Sequence, residues 1–407
     1  MAPSRTVDRQ PQGRRAESES RSGDMRSCLL SPVFPLAVQP APYTPPGPTE
    51  IVTRNHALSI NPVDWAKQTL GNMLQSFIKY PAILGNDVAG EVVEVGSAVT
   101  RFKPGDRVIG QACSVVPSAN RACEGSFQLY TVLREHLVSR IPDGMAFSDA
   151  VVLPLGVSTA GYGLFHAEFL GLRLPVPVAR GVDEGEGDGE GEGEEAGEEK
   201  EAVLITGGAS SVGSCAVQLA TAAGYAVYST ASPKNHAYVR DLGAVAVFDY
   251  RSATLTDDLV SALAGKKVHG AYAIGNGAVE TCLAVLARSN TTKRFVAYAA
   301  PPWPSELPTS TAGVVSMVGS TVWWMGSTAL KSATKRIRTR FVDGDEWTKS
   351  DGEMMRVWRD FLPHALESGQ MRPRPEAQVV GTGLESIQMA MDVQKGGVSA
   401  KKIVVTL

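Results

Sequence analysis

Cysteine is scarce in this chain. There are five residues in 407 (Cys28, Cys113, Cys123, Cys215 and Cys282), an odd number with no C-x-x-C pair. That excludes a disulfide-stapled scaffold and fits a reducing, cytoplasmic setting. Histidine is as thin, six residues with no H-x-x-x-H spacing, so no metal site is expected. Long hydrophobic runs are missing too. The longest uncharged stretch, 202–233, is interrupted by Gly207, Gly208, Gly213 and Gly224 and by many Ser and Thr. It reads as strand, loop, helix and strand rather than a membrane span, and the N-terminus carries no hydrophobic signal core.

Strong net charge is also lacking, at −3. The total hides two opposed parts. Residues 181–200 hold ten Asp/Glu and seven Gly against one Lys, a local −9, while residues 1–28 carry six Arg against four acids. The remaining body is mildly basic, too weakly so for a nucleic-acid surface. The 181–200 run cannot bury a core and reads as a disordered, solvated insert. Residues 1–28 have the composition of a disordered tail, with acids (Asp8, Glu17, Glu19, Asp24) that a transit peptide would avoid. Met25 directly precedes the first apolar run, 28–38, and is an alternative start.

What is present separates into two characters. Residues 35–48 are proline-dense, and short alternating runs follow at 50–56, 87–95 and 107–110, punctuated by Gly85, Gly90, Gly96 and Gly105. This is the pattern of a small, mostly antiparallel β domain. Beyond about residue 150 apolar strands (203–206, 226–230, 245–248, 268–274, 295–299) alternate with helices at 211–223, 235–242, 255–263 and 278–287. That alternation predicts an α/β doubly wound parallel sheet of βαβ units. Helices at 353–367 and 384–393 and a strand at 401–406 close the chain, while 314–325 (VVSMVGSTVWWM) reads as an apolar edge strand able to pair between subunits. Monomer and homodimer both stay open.

The chemistry sits in VLITGGASSVGS (203–214). Gly208, Ala209, Ser210, Ser211, Val212 and Gly213 form a small-residue turn between a buried strand and a helix. Such a turn lets the backbone approach a pyrophosphate, whose charge meets the free N–H groups of the helix start. An Asp or Glu about 20 residues on would hold the 2′-hydroxyl of NAD. The chain instead has Thr230-Ala231-Ser232-Pro233-Lys234-Asn235, without an acid before Asp241. Ser232 and Lys234 there suit a 2′-phosphate, so NADP(H) is the expected cofactor. The alternative for Lys234 is a solvated lysine at a helix start.

These segments resemble a family. ALSINPVDW (57–65), LGNDVAGEVVEVGSAVTRFKPGDRVIG (84–110), GSFQLYTVL (125–133), TGGASSVG (206–213) and GGVSAKKIVV (396–405) are similar, in order, to motifs of the medium-chain dehydrogenases/reductases. The nearest type is the zinc-free quinone-oxidoreductase and fungal trans-acting enoyl reductase. The resemblance covers 29–407. It implies a GroES-like domain built from 29–160 and 331–407 around a Rossmann domain at 161–330, with the 181–200 insert. Zinc-dependent members carry a catalytic Cys where this chain has Asn61-Pro62-Val63-Asp64, and G-H-E where it has Gly85-Asn86-Asp87. Lacking that Lewis acid, the chain is expected to deliver hydride from NADPH to an activated C=C (enone or enoyl thioester) or to a quinone.

The resemblance further places Val63, Asp64 and Trp65 beside the nicotinamide, with Val398 and Ser399 at its end. It puts Ser232, Pro233, Lys234 and Asn235 at the 2′-phosphate and Tyr250 at the adenosine. Pro154, Leu155, Gly156, Val157, Ser158, Thr159 and Ala160 fall on the acyl-substrate side, with Pro154 and Gly156 equally suited to a hinge. Asp64, Lys67, Tyr80 and Tyr162 are the candidates for proton return, each balanced by a plain packing role. Two alternatives stand beside this expectation: a zinc-independent, NADP-dependent alcohol dehydrogenase, and a non-catalytic NADPH sensor or partner protein. The loops 66–82, 111–124 and 300–330 are expected to line the substrate pocket. The partner expected is a small molecule or acyl thioester, with neither nucleic acid nor membrane.

Overall fold

A computed structural model describes residues 26–30, 36–71, 76–114, 116–178, 200–299, 308, 310–343 and 352–407. The proposed start at Met25, most of the expected tail and the acidic insert up to residue 199 lie outside the described residues. The tail expectation runs too far at its inner end: Arg26–Leu30 is a strand, paired antiparallel with Ala37–Pro40 and Ala82–Ile83.

Two larger sheets carry the molecule. One has six parallel strands in the order Ala244–Asp249, Ala226–Ala231, Ala202–Ile205, Val268–Ala273, Phe295–Tyr298 and Arg338–Phe341. Counted along the chain this is 3-2-1-4-5-6, the dinucleotide-fold order, and it reverses beside the strand Ala202–Ile205. The sixth strand lies beyond residue 330, so the parallel domain reaches further along the chain than the sequence boundary. The reason is packing: Ile337, 1% exposed, joins the core under this sheet.

The other sheet is mainly antiparallel. Glu50–Ser59 sits at its centre, flanked by Asp87–Val95 and Lys401–Thr406 and partly covered by Tyr130–Arg134. Arg107–Gln111 and Val138–Arg140 continue one side, and Glu376–Thr382 runs parallel to Lys401–Thr406 on the other. The last strand of the chain is therefore paired directly with one of the first. Ala57, Ala89, Ile109 and Val404 point from this sheet into the same apolar core as Val203 and Ile205 of the parallel sheet, which welds the domains along the helix Pro154–Phe165.

Two sequence expectations change. The segment 314–325 lies inside one helix, Thr311–Lys335, and is not an edge strand. Its less exposed side recurs at helical spacing (Met317, Thr321, Trp324, Thr328), a period masked in sequence by apolar residues on both faces. The helix expected at 353–367 is present as one unbroken run that changes type along its length: Glu353–Arg356, a π-helical turn Val357–Phe361, and Leu362–Ser368. Pro363 lacks the N–H that would continue the α-helical ladder.

Candidate active site

The strand Ala202–Ile205 delivers the chain to the point where the sheet order reverses, which is where ligands bind in such sheets. Gly207 turns at φ +65. A Cβ on Gly213 would sit 2.1 Å from the Gly207 carbonyl oxygen, and one on Gly208 would sit 2.4 Å from Ser229 Oγ. Ser210 caps the helix Ser211–Ala222, its Oγ accepting from Gly213 N at 3.0 Å and donating to the Gly207 carbonyl at 2.8 Å. The first-turn N–H groups of Ser211 and Val212 have no intrahelical acceptor. Ala209, Ser211 and Val212 are half-buried around them. Gly208 and Gly213 leave no room for a side chain, and the free donors suit an anion: this cradle fits a pyrophosphate.

At the end of the strand Ala226–Ala231 the chain turns through Ser232 into the short 3-10 turn Pro233–Asn235. Lys234 is exposed. The Asn235 side-chain amide donates to Ser232 Oγ at 3.2 Å and to Ser399 Oγ at 3.1 Å. Ser399 was expected at the nicotinamide end, yet the structure brings it to the Asn235 end, because the strand Lys401–Thr406 begins there; Val398, 37% exposed, precedes it. Tyr250, half exposed, follows the strand Ala244–Asp249, and Arg251 lies 5.1 Å from its ring centroid while donating to its hydroxyl at 2.9 Å. Sequence reasoning missed Arg251, whose only signal was adjacency to Tyr250.

Between the domains lies a buried polar row. Val404, Ser59, Asp87 and Gln111 are successive cross-strand partners, so they share one face of the antiparallel sheet. Asp87, fully buried, accepts from Ser59 Oγ (2.5 Å) and Asn61 Nδ2 (2.7 Å) on Oδ2, and from the Leu155 N–H (2.7 Å) on Oδ1. Lys402, 3% exposed, places Nζ 3.2 Å from Asp87 Oδ2. It also donates to Asn61 Oδ1 at 2.5 Å and to Ser211 Oγ at 3.3 Å. One ammonium thus ties the antiparallel sheet to the first residue of the phosphate-loop helix. Lys402 was missed as well. Its signal was a lysine on an inward register of the closing strand.

The four proton-return candidates separate. Asp64 is buried, with Oδ2 accepting from the Asn61 N–H (2.8 Å) and Oδ1 from Asn86 Nδ2 (3.0 Å), so it caps the helix Pro62–Leu70. Burial, aided by the charge of Asp87, pushes its carboxyl up to about 7. On the same helix Lys67 is buried and donates from Nζ to the Gly71 carbonyl at 3.2 Å, 5.9 Å from the Phe77 ring centroid; burial lowers its ammonium to about 8. The Tyr80 hydroxyl lies 3.5 Å from where a Gly71 Cβ would stand. Tyr162 is removed from the group: its ring packs on His166 and Phe169 in the core beneath the parallel sheet.

The substrate-side segment is also more buried than expected. Ser158 is fully buried and accepts from Trp358 Nε1 at 3.1 Å, and the Thr159 carbonyl accepts from the Tyr272 hydroxyl at 2.7 Å. Pro154, Gly156, Val157 and Ala160 are core residues, and a Cβ on Gly156 would lie 2.9 Å from Cys215 Sγ. Leu155 and Thr159 alone retain some surface. Val63 and Trp65 are half-buried on the helix that starts at Asn61. Among the described residues no three His, Cys, Asp or Glu side chains converge as a metal site, and no helix is long and apolar enough to cross a membrane.

A GroES-type sheet clamped on a parallel sheet of 3-2-1-4-5-6 order, with a glycine-rich crevice at its switch point, defines a two-domain nucleotide-dependent oxidoreductase. Residues 47–143 match the alcohol dehydrogenase GroES-like domain. The chain is 45% identical over 372 residues to the dehydrogenase pigH of Monascus ruber, covering 91% of this chain and 96% of that protein. It is 34% identical over 363 residues to the trans-enoyl reductase himH of Aspergillus japonicus, covering 88% and 90%. The CurK enoyl reductase structure shares the fold at a TM-score of 0.66 and 20% identity, over 94% of this chain and 99% of that one. The chain belongs to the medium-chain dehydrogenase/reductase superfamily and is an oxidoreductase of that kind.

Proposed function

We propose that the chain is an NADPH-dependent reductase of activated double bonds, enones or enoyl thioesters, or of quinones, and that it works without zinc. The observation that carries this is the end of the second parallel strand. Ser232, Lys234 and Asn235 stand there with no carboxylate, a donor set that matches a 2′-phosphate and leaves the 2′-hydroxyl of NAD without its usual acceptor. When bound, NADPH supplies a hydride to the acceptor carbon.

The chain's own residues have three tasks in this reading. Ser210, Ser211 and the helix start hold the pyrophosphate, with Arg251 and Tyr250 at the adenosine. Asn61, Asn86 and Asp87, in the stretches where the sequence resemblance puts the ligands of zinc-dependent members, are occupied with one another, Asp64 and Lys402, which supports chemistry on an acceptor already polarised by its own carbonyl. Lys67 Nζ, bonded to the Gly71 carbonyl, and the Tyr80 hydroxyl, which approaches Gly71, serve in this reading as the proton source for the second carbon. With its ammonium lowered to about 8, Lys67 is mostly protonated at neutral pH and ready to release its proton.

The test uses the metal-free, chelator-treated protein with a panel of enones, enoyl thioesters and quinones, following loss of reduced-nicotinamide absorbance. NADPH should be consumed with at least one acceptor, and at least tenfold more efficiently than NADH. Silence across the whole panel, or a strict requirement for added zinc, overturns the proposal.

A further inference from the structure

The helix Thr311–Lys335 is anchored on one side and bare on the other. Inward, Met317 packs against Ala66 and Leu70, and Thr328 is buried. The Trp324 ring meets Tyr298 edge-on at 5.7 Å, and its Nε1 donates to Glu280 Oε1 at 2.8 Å. Outward stand Val315, Val318, Val322, Trp323, Met325 and Leu330, from 47% to 79% exposed, with Trp323 the most so. The other large apolar residues exposed among those described are spread over separate elements. The six on this helix present roughly 700 Å², above the largest apolar patch of an ordinary monomer and close to the roughly 800 Å² that each partner gives to a stable interface.

Two glycines show the shape of what covers this face. Gly319 and Gly326 lie inside the helix, where each weakens it relative to alanine. A Cβ on either would meet nothing within 4 Å, so no packing inside the chain requires them. With Ala312 and Ala333 they recur every seven residues and fall in one exposed line, Val315 and Val322 on one side and Trp323 and Leu330 on the other. The pattern is symmetric about the bond between Val322 and Trp323. Reversed, Ala312 takes the place of Ala333, Gly319 of Gly326 and Val315 of Leu330, so an antiparallel copy sets glycine on glycine and ridge on ridge. Charge selects the same orientation. None occurs from 311 to 330, and Lys331 and Lys335 sit at one end, where parallel pairing would oppose them to their own copies and antiparallel pairing parts them. The sheet edge Arg338–Phe341 is a poorer surface for self-pairing, since it would bring Arg338 and Arg340 of two copies together.

We infer that the outward face of the helix Thr311–Lys335 is the contact of a homodimer, covered by the same helix of a second copy running antiparallel about a two-fold axis near Val322 and Trp323. The inference is independent of the reductase reading and of any substrate. Each glycine opens the line along which the partner's backbone approaches, and Trp323 is the large aromatic anchor at the centre of the contact. Because the contact is isologous, every substitution in it acts twice.

Sedimentation equilibrium of the full-length protein should give a monomer–dimer Kd below about 10 μM. Trp323→Asp and Gly326→Leu should each weaken it by at least about 30-fold, the loss expected of a central anchor. Gly326→Leu separates the contact from the fold: the melting temperature of the dilute monomer should hold or rise, because leucine favours a helix more than glycine does. Val322→Glu and Trp323→Lys, each monomeric alone, should associate on mixing at least about tenfold more tightly than either variant with itself, because residue 322 of one copy faces residue 323 of the other. A native chain that stays monomeric at about 100 μM, whether or not a different protein covers the helix, overturns the inference. A dimer that survives both Trp323→Asp and Gly326→Leu overturns it too, as does a Gly326→Leu monomer that melts lower than the native one. Failure of the Glu and Lys variants to associate overturns the antiparallel pairing.

Discussion

Lys402 offers the sharpest energetic test, because it and Asp87 form a charge pair at 3.2 Å with side chains 4% and 0% exposed. At that separation and an effective dielectric of about 20 the attraction is roughly 5 kcal/mol before desolvation, which cancels much of it. Removing one partner is different. In Lys402→Met the Asp87 carboxylate stays buried with donors from Ser59, Asn61 and the Leu155 N–H only. Losing one partner of such a pair typically costs 3–5 kcal/mol, and the three surviving donors place this case at the low end, about 3 kcal/mol. Asp87→Asn should cost a similar amount, leaving Lys402 with Asn61 Oδ1 and Ser211 Oγ. The double variant removes both charges and should lie within about 2 kcal/mol of the native chain, a coupling near 4 kcal/mol. Urea unfolding followed by tryptophan fluorescence measures all four proteins. At roughly 2 °C per kcal/mol each single variant should also melt about 6 °C lower. Since the pair is buried, the coupling should change little between low and high salt. An additive double variant, or a Lys402→Met loss below about 1 kcal/mol, refutes the reasoning.

Three further outcomes are expected. Gly213→Ala drives a methyl into the Gly207 carbonyl oxygen, 2.1 Å from its Cβ position, so cofactor affinity should fall by more than about tenfold by calorimetry and the chain should also lose stability. Lys234→Ala should weaken NADPH about tenfold, the size of one charge-assisted contact, and leave NADH within twofold; equal losses for both would remove Lys234 from the 2′-phosphate. The Lys67 ammonium, lowered by burial from 10.5 to about 8, binds its proton less firmly folded than unfolded. Between those values the unfolded chain carries more protons, so this group makes stability rise as pH climbs from about 8 toward 10. Lys67→Met should flatten that rise in the urea midpoint.

Most of the architecture is legible in the sequence because local patterns repeat the global arrangement. The five motif segments, the strand spacing and the glycine loop each carry their meaning within a few residues, and the final strand, Lys401–Thr406, falls where its alternation places it. What stays hidden depends on distant partners. Ser399 reads as part of a closing motif, but its neighbour Asn235 is 164 residues away. Tyr162 and Ser158 look available on paper until Phe169 and Trp358 cover them. The helix Thr311–Lys335 misleads by composition: with valine, tryptophan and methionine on both faces, neither a period of two nor one of 3.6 stands out. Asp64 is the instructive case. A carboxylate at the third position of a helix reads equally as an acid or as a cap, and only Asn61 and Asn86, holding one oxygen each, decide for the cap.

The polar row between the domains also bears on what kind of acceptor the crevice can serve. Asn61 and Asn86 lie in the stretches where the sequence resemblance puts the ligands of zinc-dependent members, and Lys402 bonds Asn61 there. Its charge is turned inward, matched by Asp87 and shared with Ser211 at the head of the phosphate-loop helix. A cation so neutralised organises the cofactor side and the two domains but offers little to an oxygen arriving from the other side. An unactivated alcohol would find no strong polariser there. In the proposed reading a conjugated carbonyl or thioester brings its own, and asks of the protein only orientation and one proton, the task proposed for Lys67 and Tyr80.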